Sequence, residues 1–324
     1  MFQPPSPTAG PSAVVWPTFL SAQDIQDQFR TFVDRTEHVL GHTKATRMWY
    51  RNGFDSFCNF LTQTGAPWPL AVTPDVLESW LGWNRDRNMS PVSLKTYWTA
   101  LKAFVRSVVD RTGSANPFLL AHTPRLPQHN YKALPPADCE RILVTVRNYP
   151  WKTPFEATRN AAILATALYA GLRKRELIRL EYRDVDLQEG TIQIRKGKGR
   201  NGGKDRTAYI PAELREFLAH YLRERWLHKV TAPDFFTSLH TGRGITAAAL
   251  PELVKRIKDA SGVPFSLHVL RHSFVTMLLR SGVPIHIARD LAGHASIQST
   301  EGYAKVFRED LKQHIQAVRY LSAR

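Results

Sequence analysis

Residues 266–303, SLHVLRHSFVTMLLRSGVPIHIARDLAGHASIQSTEGY, constrain the chain more than any other stretch, because an apolar helical repeat carries groups capable of chemistry. Ser266 can cap a first turn, Leu270, Phe274 and Leu278 recur at i, i+4 and i+8, and Gly282 followed by Pro284 ends the run. The spacing therefore predicts a helix on which His268, Arg271 and His272 share a face apart from the apolar one. His294 follows in a Gly-His turn, and Tyr303 stands alone nine residues later. Three groups able to contact an anion (His268, Arg271 and His294) thus precede one candidate nucleophile. With a free pKa of about 10, only about one phenol in a thousand is ionised at neutral pH. A nucleophilic tyrosine needs dense positive charge around the group it attacks.

That charge is present. The chain has 44 Lys and Arg against 28 Asp and Glu, a net +16, which favours a polyanionic partner, nucleic acid first and an anionic membrane surface second. Its 324 residues suffice for two domains with separate cores. No apolar run reaches the roughly 18 residues that span a bilayer, and the start lacks a basic segment leading into an apolar one. The expectation is a soluble, cytoplasmic, nucleoid-associated protein. Cys58 and Cys139 have no CxxC or Cys/His spacing, which argues against a disulfide framework and a structural zinc site.

Residues 1–20 hold five prolines among small residues and predict a mobile tail. Residues 21–111 read as four helices with short connections, a compact bundle, and Thr73-Pro74 and Ser90-Pro91 place proline at the first helical position of two of them. Lys44, Arg47 and Arg51 fall on one face of the second helix, and Lys95, Lys102 and Arg106 on one face of the fourth. Each is a solvated face or a phosphate-contacting one, and two in so basic a chain favour DNA-backbone contact. Trp49, Trp80, Trp83 and Trp98 read as core. Residues 112–133, rich in proline and polar residues, read as a linker.

Beyond it come helices over 137–149 and 155–171, and then GLRKRELIRL, a short helix carrying Arg173. Ile192 and Ile194 alternate with polar residues, and residues 207–210 return after a Gly-rich turn, predicting a β-hairpin. Its tip region carries Arg195, Lys196, Lys198, Arg200, Lys204 and Arg206 against one acid, Asp205. Helices over 213–227 and 251–261 lead into the opening stretch. After Tyr303, residues 304–324 repeat Phe307, Leu311, Ile315 and Val318 or Tyr320 at helical spacing, for packing on the domain itself or on a neighbouring subunit.

Arginine in GLRKREL, lysine in a Gly-Lys-Gly hairpin, HVLRH, a Gly-His turn and a tyrosine, in that order, resemble the tyrosine recombinases, DNA integrases and resolvases that break and rejoin strands through a phosphotyrosine. The resemblance implies a mainly α protein: a helical core-binding bundle, then a mostly helical catalytic domain over 134–303 with a small sheet. It makes Tyr303 the nucleophile, and Arg173 and Arg271 the holders of the non-bridging phosphate oxygens. It also makes His268 a phosphate ligand that helps accept the tyrosine proton, His294 a further donor, and Lys198 the acid for the leaving 5′-oxygen. Lys196 and Lys204 compete with Lys198, and with Arg200 they are further DNA contacts. Glu176 and Asp184 match acidic positions that help seat the first arginine, or act structurally. The turn LAGH and the wording EGYAKV depart from the family's usual run without removing a functional group.

By the same resemblance no metal or nucleotide cofactor is needed. The partners are double-stranded DNA, a homotetramer on two sites exchanging strands through a Holliday junction, and accessory DNA-bending or directionality proteins. His268 and His272 at i, i+4 are no zinc pair, since the glutamate of HExxH and a third ligand are missing. Rival readings are a monomeric type IB topoisomerase-like relaxation enzyme and a non-catalytic DNA-binding regulator, which would have no need of the tyrosine. The absence of an added amino-terminal arm-binding domain favours a simpler recombinase. Integration, excision, dimer resolution and inversion draw on the same six residues.

Overall fold

The computed structural model describes residues 14–126, 133–195 and 205–293. Lys196, Lys198, Arg200, Lys204, His294, Tyr303 and the helix expected over 304–324 lie outside the described residues. The chain divides into two compact units, Met1–His129 and Asn130–Arg324.

The first unit is built on α1 (Ala22–His38), α2 (Lys44–Thr64), α3 (Pro74–Asp86) and α4 (Pro91–Thr112). Ser21, Thr43, Thr73 and Ser90 cap them, each side-chain oxygen accepting from a backbone N–H of the first turn. Aromatic packing holds the centre: the Phe29 and Phe54 rings stack at 3.8 Å, and Phe104 meets each edge-on at 5.4 Å. Trp80 and Trp98 are buried as expected, whereas Trp49 and Trp83 are half-buried at the margin. A buried polar network ties α2 to α3. Trp80 Nε1 donates to Ser56 Oγ at 3.2 Å, Ser56 Oγ to Asn84 Oδ1 at 3.0 Å, and Asn84 Nδ2 to the Trp80 carbonyl at 2.9 Å.

Ordered structure extends into both segments that composition marked as loose. β1 (Thr18–Phe19) pairs antiparallel with β2 (Leu70–Ala71), and Phe19 is buried against Phe104, so the tail expected over 1–20 stops short of these residues. A single aromatic anchors the segment where the surrounding prolines gave no periodic signal. Phe118 and Ala121, beyond α4, are likewise buried in this core.

The second unit contains α5 (Pro136–Asn148), α6 (Pro154–Tyr169), α7 (Lys174–Arg179), β3 (Val185–Asp186), β4 (Thr191–Ile194), β5 (Arg206–Tyr209), α8 (Ala212–Leu227), β6 (Thr237–Ser238), β7 (Arg243–Gly244), α9 (Ala249–Ser261), α10 (Leu267–Arg280) and α11 (Ile285–Ala292). The apolar helix α6, buried continuously from Asn160 to Leu168, packs against α5, α8 and α10. The architecture is mainly α with small sheets, as the sequence implied. β4 and β5 form the expected hairpin, one residue earlier on the return strand, with Ile194 opposite Arg206 and Ile192 opposite Ala208. The two-residue strand β3 adds a third edge. α10 starts at the Ser266 cap, whose Oγ accepts from the Val269 N–H at 3.2 Å. α11, unforeseen, packs on α10 and β5.

Candidate active site

The site is built where α10, α11, the start of α7 and the hairpin meet. Arg271 is 2% exposed and belongs to the buried side of α10 with Leu270 and Val275. This corrects the expectation of a shared polar face with His268 and His272. The face is decided by what packs on the helix: α6 lies on one side, and α11 covers the turn that carries Arg271. His268 remains exposed, with its ring edge-on to that of His272 at 4.2 Å. The buried guanidinium of Arg271 donates through Nη1 to the Gly171 carbonyl and through Nη2 to the Ala292 carbonyl.

Arg173 is the N-cap of α7 and not part of the helix. Glu176 holds it twice: Oε1 accepts from Nη1 at 2.8 Å and Oε2 from the Arg173 backbone N–H at 2.8 Å. Nη2 of Arg173 donates to the Gly293 carbonyl at 2.5 Å. The two arginines therefore converge on consecutive carbonyls at the C-terminal end of α11, where a helix exposes unpaired acceptors and partial negative charge. Glycine is required at both turns. Gly171 has φ +62° and a Cβ there would lie 2.3 Å from the Phe274 ring, while Gly293 has φ +64° and a Cβ would lie 2.2 Å from Arg206 Nε.

Arg206 was expected among tip residues, yet its side chain is only 8% exposed, and Nη2 donates to Glu176 Oε2 at 2.8 Å. The period-2 alternation contained the signal, since Arg206 stands opposite buried Ile194 and two residues before buried Ala208. Asp184 does not touch Arg173. Its buried carboxylate faces Arg195 at 2.7 Å, at the other leg of the hairpin.

Three guanidinium groups against one carboxylate leave the cluster positively charged. Burial, then repulsion from Arg173, pushes the pKa of Arg271 down to about 9, with Glu176 opposing and Arg206 adding to the fall. Burial raises the Glu176 carboxyl, but Arg206 and Arg173 outweigh it and hold the group below its ordinary range. Such a cluster is suited to an anion whose charge rises during reaction.

On the first unit, Lys44 and Arg51 are exposed on α2, and Arg106 is exposed on α4 with Asp110 at 3.9 Å. Lys95 and Lys102 are half-buried. Arg47 departs from the expected open face: it is half-buried and ion-paired with Glu37. It stands at i−3 and i−7 from the buried Tyr50 and Phe54, which draws it to the edge of the core. Both cysteines are free thiols raised by burial, Cys58 to about 12. Among the described residues no three His, Cys, Asp or Glu side chains gather as metal ligands, and no helix is long and apolar enough to cross a membrane.

The sequence pattern of the phage integrase family matches residues 132–310, more than half of the chain. The chain belongs to the phage integrase family. Its relatives there include the tyrosine recombinase XerD of Listeria innocua, 32% identical over 251 residues that cover 74% of this chain and 82% of the relative. Solved structures that share the fold include the following two. XerH, a site-specific recombinase bound to a palindromic difH substrate in a post-cleavage complex, matches with a TM-score of 0.68 at 22% identity over 92% of this chain and 84% of its own. The Tn1549 transposon integrase in complex with a circular intermediate DNA matches with 0.66 at 17% identity over 89% and 99%. The enzyme is thus a site-specific tyrosine recombinase, related in sequence to the Xer proteins.

Proposed function

We propose that this recombinase cuts and rejoins duplex DNA through a 3′-phosphotyrosyl link to Tyr303. The observation that carries the reading is the convergence of Arg173 and Arg271 on the carbonyls of Gly293 and Ala292, the residues immediately before His294. Two forked cations beside the segment that bears a further histidine make a cradle for one phosphate. In the proposed step Tyr303 Oη attacks phosphorus, the bond to the 5′-oxygen breaks, His268 helps accept the phenolic proton, and Lys198 protonates the departing oxygen. Arg173, Arg271 and His294 stabilise the added charge on the non-bridging oxygens. The new ester keeps the energy of the old one, so a 5′-hydroxyl from another strand can reverse the step without a nucleotide.

Duplex DNA is the proposed partner, with the first unit as core-binding domain and the second as catalytic domain. Lys44, Arg51, Lys95, Lys102 and Arg106 meet the backbone, and Arg47 contributes less because Glu37 already offsets its charge. The hairpin residues Lys196, Arg200 and Lys204 add contacts beside the cut. Four subunits on two sites exchange strands in pairs through a Holliday junction, in the cytoplasm, with accessory DNA-bending proteins where the site demands them. An apolar groove lined by Leu143, Val144, Leu168, Phe217, Phe274 and Met277 supports subunit exchange, since it offers the stripe of residues 304–324 a seat on a neighbour.

The test is incubation with supercoiled DNA from the gene's own neighbourhood in EDTA, stopped with detergent. The unchanged protein should carry covalently attached DNA and Tyr303→Phe none. Attachment in both would mean a different nucleophile. Binding without attachment in either would favour a regulator.

A further inference from the structure

We propose that Arg206 is a positioning residue for strand cleavage, acting through Glu176 on Arg173 and by contact on the end of α11. The inference rests on the strand-transferase reading and extends it to a residue outside the set that reading uses.

Four residues form a closed ring of contacts. Arg206 Nη2 bonds Glu176 Oε2 at 2.8 Å, and Glu176 Oε1 bonds Arg173 Nη1 at 2.8 Å. Arg173 Nη2 bonds the Gly293 carbonyl at 2.5 Å, and Gly293 leaves room for no side chain because Arg206 Nε lies against it. The ring joins β5, the start of α7 and the end of α11, the three places from which Arg173, the hairpin and His294 depart. Arg206 reaches it because its register opposite Ile194 turns it inward, where it is 8% exposed.

The partners Arg206 lacks are as informative as those it has. Its Nε and Nη1 are buried with no hydrogen-bond acceptor among the described residues, so Glu176 is the one anion that fixes the guanidinium there. Buried donors left unpaired are uncommon and call for a reason. Here the reason is the fork: one nitrogen reaches the carboxylate while the planar body braces Gly293. A lysine could supply the charge but not both contacts. Without Arg206, Glu176 keeps only its two bonds at the start of α7, to the Arg173 guanidinium and backbone N–H, and nothing ties that pair to β5.

The experiment measures single-turnover formation of the covalent complex on nicked DNA at saturating protein, with affinity for the same DNA measured separately. The unchanged chain, Arg206→Met, Arg206→Lys, Glu176→Gln and Arg206→Met with Glu176→Gln are compared. Arg206→Met should lose about 10- to 100-fold in rate, the range seen when residues that orient functional ligands are removed. Its DNA affinity should stay within about threefold, because Arg206 is given no phosphate to hold. Arg206→Lys should recover part of the rate. The double variant should be no slower than the slower single one, since both act through one carboxylate. A parental rate in Arg206→Met, losses that multiply in the double variant, or a loss confined to affinity would each overturn the proposal. If Arg206→Met does not fold, Arg206→Lys decides, and a parental rate there overturns it. No covalent complex from the unchanged chain would instead bring down the strand-transferase reading on which the proposal stands.

Discussion

Glu176 carries two guanidinium groups and a backbone amide on one carboxylate, and that makes its protonation a stability term. Its carboxyl is held below the ordinary 4.5 in the folded chain, burial being outweighed by Arg206 and Arg173. A carboxylate with a lowered folded value stabilises the fold fully above about pH 4.5 and loses that contribution as pH falls through the folded value. The gap in urea midpoint between the unchanged protein and Glu176→Gln should therefore be constant from about pH 6 to 8 and shrink below about pH 4. A gap that ignores pH would mean that the carboxylate's charge does not stabilise the cluster. At this scale the sequence was legible where chemistry is written in residue type and order: the motifs that single out Arg173 and Arg271 pick two residues that the fold brings together at the end of α11. It was not legible where the partner decides. Arg271 looks like a face residue until α11 is laid over it, and Asp184, open in the sequence between seating Arg173 and a structural role, pairs with Arg195 of the hairpin.

Elements that carry their own start and stop signals were readable in advance. Thr73, Ser90 and Ser266, read as start signals, each cap the helix that follows, so local chemistry and tertiary packing agree, and the structure adds Ser21 and Thr43 as caps of α1 and α2. α11 escaped notice because its eight residues bury only the small side chains Ala288 and Ala292, too slight for a periodic signal. The two-residue strands are set by the partner strand and not by their own sequence. In the first unit α2 and α3 are tied by the Ser56–Trp80–Asn84 network, in which Ser56 Oγ is both acceptor and donor. Ser56→Ala should destabilise that unit by about 1–3 kcal/mol, because the buried Trp80 N–H loses its acceptor. Thermal unfolding checks this, and an unchanged Tm would show that the network adds no stability.

For the whole molecule, the net charge of +16 is a statement about salt. If the proposed basic residues meet DNA phosphates, log affinity should fall linearly with log salt, and each contact removed should flatten the slope by about one unit. Arg51→Ala and Lys95→Ala should each do so, with the rate of strand cleavage at saturating protein nearly unchanged. A slope identical to that of the unchanged chain would remove these residues from the interface. Two domain-sized units followed from length and composition, whereas the buried positions of Phe19 and Phe118 required the cores themselves.

The arginine pair also dates the site within the life of each molecule. Arg271 is anchored to a carbonyl 100 residues earlier in the chain, and Arg173 to one 120 residues later. During synthesis the early part of the chain emerges first, and Arg173 has no Gly293 to reach until almost the whole second unit has been made. Contacts of such long span form only after the intervening chain has been gathered in. If the pair holds the scissile phosphate as proposed, cutting competence is reserved for chains in which these distant segments have met, and a nascent or broken chain has the basic residues of the first unit without the assembled arginine pair.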